Sequence, residues 1–217
     1  MLRFDLPVRR DRPTRFLCLG AHSDDIEIGC GGTILRLLSE NDAAEVHWIV
    51  LGSSGQRDGE AVTSAENFLA DAKQKNVIVQ DFKDGFFPYV GGELKEFFED
   101  LKRKVSPDVI FTHYRHDLHQ DHRLISELTW NTYRDHLILE YEIVKYDGDI
   151  GVPNVFVHLD ETICQKKIKL IMDCFQTQRD KDWFTPDAFF SLLRIRGIES
   201  KAPGKYAEAF HCRKLVL

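Results

Sequence analysis

The side chains best suited to chemistry fall in two short stretches of this 217-residue sequence. The first, AHSDD, holds His22, Asp24 and Asp25. The second, HYRHDLHQDH, spans residues 113–122 and holds His113, His116, His119 and His122 with Asp117 and Asp121 among them. Neutral imidazoles and a carboxylate suit zinc, and a catalytic zinc site has three protein ligands and one open position. His22 and Asp25, three apart, can chelate one ion. One histidine of the second stretch would complete the set. Zinc lowers the pKa of a bound water to near neutrality, after which hydrolysis needs a base for the water's proton and an acid for the leaving group. Asp24, beside a ligand but free itself, suits the first task, and a second histidine next to the third ligand suits the other.

These groups must be held by the elements around them. Residues 16–19 form a short apolar run, FLCL, bounded by Gly20, and the chain passes Gly29, Gly31 and Gly32 into helical spacing at Ile34, Leu35 and Leu38. That order reads strand, loop, helix, with the helix over 33–39 and Asn41 as its stop. Further strands are expected over 46–51, 77–79, 108–112, 140–146 and 153–158. Helices are expected around Ala65, Phe68, Leu69 and Ala72, around Leu94 to Val105, after residue 122, over 161–175 and over 184–195. Residues 206–211 read as a short edge strand or a loop. Strands alternating with helices imply right-handed crossovers and a mainly parallel sheet. Both chemical stretches follow strand ends, the edge at which open α/β sheets bind ligands.

Blander readings compete. Asp24 or Asp25 could cap the following helix, and His116 and His119 could be solvated. GCGGTI lacks the G-x-G-x-x-G order of a dinucleotide loop, and the neighbouring carboxylates would repel a pyrophosphate. Two such stretches at two strand ends are harder to explain that way than either alone.

The net charge of −6 argues against a broad grip on nucleic acid or an anionic membrane. No apolar run approaches the ~20 residues that cross a bilayer. Five widely spaced cysteines without a CxxC pair fit a reduced, cytoplasmic setting. The length suits one domain over residues 1–217, with 1–14 as an extended leader.

The run Ala21 to Asp25 with its glycine-rich continuation resembles the AHPDD motif of the LmbE-like, or PIG-L, N-acetylglucosaminyl deacetylase family. His119-Gln120-Asp121-His122 is similar to that family's HPDH or HxDH motif, and Tyr206 to Phe210 to its AEAF element. The order of all three agrees. The resemblance implies a Rossmann-like three-layer α/β fold and zinc-dependent removal of an acetyl group from an N-acetylated amino sugar or its conjugate. It assigns the zinc ligands to His22, Asp25 and His122, and the general base to Asp24. His119 would protonate or stabilise the tetrahedral intermediate. Asp121 would orient an imidazole, and Asp117 would support His119 or His122.

Ser23 and Gln120 stand where the family carries prolines, and Ile26 where a glutamate often follows. Arg57 at the pocket edge and Arg196 are candidate substrate contacts. Phe86, Phe87 and Tyr89 read as rim aromatics, and His113 and His116 as structural or rim residues. A homo-oligomer fits the resemblance. The rivals are a metal-dependent amidase or deacylase of another small metabolite, and a non-catalytic nucleotide- or sugar-binding module on the same fold.

Overall fold

The computed structural model describes residues 11–41 and 43–216. Most of the expected leader lies outside these residues. Its described end is anchored by Arg12, which donates twice to the Asp108 carboxylate at 2.8 Å.

Seven strands form one sheet: β1 (Arg15–His22), β2 (Glu45–Gly52), β3 (Gln74–Val79), β4 (Val109–His113), β5 (Leu137–Tyr141), β6 (Val155–Leu159) and β7 (Tyr206–Cys212). Their spatial order is β3-β2-β1-β4-β5-β7-β6, parallel from β3 to β5, with β7 antiparallel to both its neighbours. The helices are α1 (Asp25–Glu40), α2 (Gln56–Phe68), α3 (Gly91–Lys104), α4 (Gln120–Thr132), α5 (Glu161–Cys174) and α6 (Pro186–Glu199).

The central strands are buried on both faces, so alternate residues feed two cores. Phe16, Cys18, Val46, Trp48 and Val50 pack with residues of α1, α2, α5 and α6. Leu17, Leu19, Ile49 and Leu51 pack with residues of α3 and α4 on the other side. This is the three-layer arrangement expected.

Four elements differ from expectation. The helix expected around Ala65, Phe68, Leu69 and Ala72 spans Gln56–Phe68, so Arg57, Asp58 and Glu60 lie inside it. The first helix begins at Asp25, so its glycines lie inside it. They are there because α1 runs against neighbours with no room for a side chain: a Cβ at Gly29 would stand 2.2 Å from the Tyr141 ring. The fifth strand spans Leu137–Tyr141 rather than 140–146. The last strand, β7, is internal, and β6 forms the edge on that side of the sheet. Glu208 on β7 explains why that position matters to α1. Its carboxylate accepts from the backbone N–H groups of Gly32 (2.8 Å) and Thr33 (2.6 Å) and from Lys167 Nζ (2.6 Å). Lys167 also donates to the Ile28 carbonyl at 2.7 Å, the ordinary i−4 partner of Gly32. A buried ion pair from α5 and β7 is thus wedged against the ladder of α1.

Strand order reverses between β1 and β4, whose carboxyl ends carry His22 and His113. A crevice at such a switch point is where open α/β sheets take their ligands.

Candidate metal centre

His22 ends β1 and Asp25 opens α1, while His122 lies in the first turn of α4, after β4. Two helix N-termini therefore face one point, and their partial positive charge favours carboxylates there. His22 Nδ1 lies 3.1 Å from His122 Nε2 and 3.4 Å from Asp25 Oδ2, and His122 Nε2 lies 3.5 Å from Asp25 Oδ1. Zinc bonds of about 2.0–2.2 Å in a tetrahedron separate donor atoms by roughly 3.3–3.6 Å. The two distances to Asp25 fall on different oxygens, and Oδ2 also accepts the His22 backbone N–H at 2.6 Å. Among the described residues, the groups close enough to hold one ion are His22 with His119 and His122, His22 with Asp84, His119 and Asp121, and Asp25 with His113 and His122.

The surrounding bonds turn the right nitrogens inward. His122 Nδ1 faces Asp117 Oδ2 at 2.9 Å, which places its proton there and leaves the Nε2 lone pair facing the centre. His22 Nε2 lies 3.0 Å from Asp84 Oδ1 and 3.2 Å from Asp121 Oδ2, which does the same for its Nδ1. Two lone pairs 3.1 Å apart repel unless a cation or a proton lies between them. Burial opposes charge on His22, but Asp25 and the bonds to Asp121 and Asp84 outweigh it and hold its pKa well above the usual value. Burial and the adjacent His113 take His122 down to about 3. In metal-free protein the proton thus belongs to His22.

Asp121 is oriented in turn by backbone N–H groups of Gly85 (2.7 Å) and Phe87 (3.2 Å). Asp117 holds the His122 ring with one oxygen and accepts from the His119 backbone N–H with the other, at 2.8 Å. His119 is the N-cap of α4, its Nδ1 accepting from Asp121 N at 3.3 Å. Its proton is therefore at Nε2. Burial and His22 lower its pKa, so the ring is a neutral donor. Its ring centroid is 4.8 Å from that of His22.

Asp24 is the N-cap residue of α1, yet its side chain makes no capping bond. It is buried, with Arg57 Nη2 3.4 Å from Oδ1. Burial and the Asp25 charge raise its pKa, and Arg57 pulls it the other way. Asp25 is held well below the usual range by the three imidazoles around it, in spite of burial.

Arg57 reaches the cluster through Asp24 and through Asp84, 3.5 Å away. Arg196 does not reach it. Its guanidinium is buried against Glu142 (2.9 and 2.7 Å), Glu199 (2.8 Å) and the Gly151 carbonyl (3.0 Å), and it lines a small, partly open pocket with Lys167 and Glu208. Its donors are occupied by the fold. His113, expected to be structural or at the rim, is fully buried and stacks on His122 at 3.9 Å. Its Nε2 accepts the Ala21 N–H at 2.9 Å, which withdraws that lone pair from a metal. Phe87 is buried as well, whereas Phe86 and Tyr89 are exposed. Sequence reasoning missed Asp84, which lies 3.0 Å from His22 Nε2, and Lys145, which lies 3.1 Å from Asp117. Neither carries a local signal, because each meets its partner only through the fold.

Residues 17–133, more than half of the chain, match the family described as PIG-L: GlcNAc-PI de-N-acetylase. The chain belongs to this family. Solved structures resemble this PIG-L protein over nearly its whole length. A conserved protein from Thermus thermophilus is 19% identical, with TM-score 0.74, over 93% of this chain and 95% of the other. The N,N'-diacetylchitobiose deacetylase of Pyrococcus horikoshii is 21% identical, with TM-score 0.69, over 97% and 87%. A 4-carboxy-2-hydroxymuconate hydratase from Pseudomonas putida is 17% identical, with TM-score 0.74, over 94% and 98%. One fold thus serves both a deacetylase and a hydratase, so the PIG-L protein's reaction has to be argued from its own side chains.

Proposed function

We propose that this protein is a zinc-dependent hydrolase that removes the acetyl group from an N-acetylated amino sugar or an amino-sugar conjugate. The observation that carries this reading is the convergence of His22 Nδ1, His122 Nε2 and the Asp25 carboxylate within 3.1–3.5 Å of one another, with the Asp24 carboxylate, held by Arg57, beside them. A zinc ion held by these three would polarise a carbonyl oxygen and lower the pKa of a water to near neutrality.

The remaining work falls to the chain. Asp24 takes a proton from the attacking water, and its raised pKa brings it closer to the range in which it can pass that proton on to the departing nitrogen. His119, neutral and protonated at Nε2, donates to the oxygen on which negative charge develops. Asp117 and Asp121 fix the tautomers of His122 and His22. Arg57 keeps Asp24 in place and sits at the edge where a sugar hydroxyl or phosphate would lie. All five cysteines are unpaired, in keeping with a cytoplasmic enzyme. Among the described residues, no helix is long and apolar enough to cross a membrane.

The test is metal analysis joined to turnover on a panel of N-acetyl amino sugars and acylated amines, read as amine release. Asp24→Asn should keep zinc and lose about 10²–10⁴-fold in rate. Turnover by this variant at the wild-type rate would overturn the assignment of the base.

A further inference from the structure

Lys145 lies on the segment after β5, and its side chain is only 9% exposed. Its ammonium is 3.1 Å from Asp117 Oδ2, the same oxygen that holds His122 Nδ1 at 2.9 Å. On its other side Lys145 donates to both oxygens of Asp149 at 2.5 Å. Asp149 in turn accepts from the Leu118 backbone N–H at 2.6 Å, next to Asp117. The result is a buried row of alternating charge: His122, Asp117, Lys145, Asp149. An Asp-His pair behind a metal ligand raises the basicity of the imidazole and tightens its hold on the ion. A cation on the shared carboxylate oxygen does the opposite, because it draws on the same negative charge. A second carboxylate behind that cation offsets part of its effect.

We propose that Lys145 is a positioning and tuning residue for the metal centre, weakening the Asp117 charge felt by His122 to a degree set by Asp149. The inference rests on the reading of His122 as a metal ligand. Its consequence is a centre with a looser grip and a more electrophilic ion than the Asp-His pair alone would give.

The signs of two substitutions separate tuning from simple support. Lys145→Met should tighten zinc binding about three- to tenfold, smaller than the 10–100-fold spanned by loss of a group hydrogen-bonded to a metal ligand. Asp149→Asn leaves Lys145 wholly on Asp117 and should weaken zinc binding. Lys145→Arg keeps the charge and should leave affinity near wild type. A merely structural role would make both of the first two weaker. Affinity is read by competition with a chromophoric chelator, with no substrate present and with circular dichroism as the check on folding. In an Asp117→Asn background the effect of Lys145→Met should shrink, because the carboxylate through which it acts is gone. Should Lys145→Met fail to fold, Asp149→Asn measured in the wild-type and Asp117→Asn backgrounds decides: weaker binding in the first that vanishes in the second supports the proposal, and unchanged or tighter binding in the first, or equal weakening in both, overturns it. Loss of the coupling in the Asp117→Asn background supports it, and an undiminished effect there overturns it. Failure of the wild-type protein to bind zinc at all would refute the metal-centre reading, and this inference with it.

Discussion

Gly29→Ala is a one-atom test of how closely α1 must approach the sheet. The added Cβ would stand 2.2, 2.5 and 2.8 Å from three atoms of the Tyr141 ring, where ordinary contact begins at 3.4 Å. Relief therefore needs about 1.2 Å of movement, since 3.4 less 2.2 is 1.2. Tyr141 is poorly placed to yield. It is fully buried, and its hydroxyl donates to the Leu19 carbonyl at 2.6 Å. The helix must move instead, and its first turn carries Asp25 with Asp24 just ahead.

Overpacking of this kind costs about 1–3 kcal/mol, and the better helix propensity of alanine returns up to about 1 kcal/mol. A clash this deep against a pinned ring belongs at the upper end of that range, so the net loss should be about 2 kcal/mol, or roughly 4–8 °C in Tm for a chain of this size. A displacement near 1 Å at the reacting groups should lower kcat by up to ~10²-fold. Urea denaturation and turnover measured on one preparation give both quantities. Gly92→Ala, in α3 with nothing within 4 Å of its Cβ, is the control and should be neutral or slightly stabilising. Wild-type stability and rate in Gly29→Ala would refute the claim that this contact sets the position of the site.

Other expectations follow from the same geometry. Because His22 has a raised pKa and its inward nitrogen carries the proton when no metal is bound, zinc affinity should fall as the pH drops, and binding at neutrality should release about one proton. Calorimetry in buffers of different ionisation enthalpy counts that proton, and binding without release would contradict the arrangement. Arg196→Met leaves the buried Glu142 carboxylate unpaired and should cost about 3–5 kcal/mol, with KM unchanged in whatever remains folded. A raised KM at intact stability would return Arg196 to the substrate.

The sequence discloses the order of strands and the two chemical stretches because both depend on neighbours in the chain. Apolar runs such as FLCL and EVHWIVLG become central strands, and the histidines follow strand ends. What it hides depends on distant partners. The glycines of α1 have poor helix propensity, and only Tyr141, Phe68 and Leu159 pressing on them explain a helix there. Glu140 would be expected near the start of a strand, but its carboxylate is buried under Trp130 and the Arg115 backbone, and the strand begins at Leu137 instead. Arg196 reads in the sequence as a candidate substrate contact, and a buried partner 54 residues earlier occupies it. Asp84 and Lys145 are ordinary loop charges until the fold sets them against His22 and Asp117.

The wedge of Lys167 and Glu208 in α1 separates two boundaries that are easily confused. The stretch that marks the family ends at residue 133, yet the helix that opens the metal centre is braced by groups at 167 and 208. The signature is therefore shorter than the unit that folds. A fragment cut at its end would keep every predicted ligand and lose β5, β6 and β7, together with the ion pair on which α1 rests. The half that carries the candidate ligands is thus held in position by the half that carries none of them.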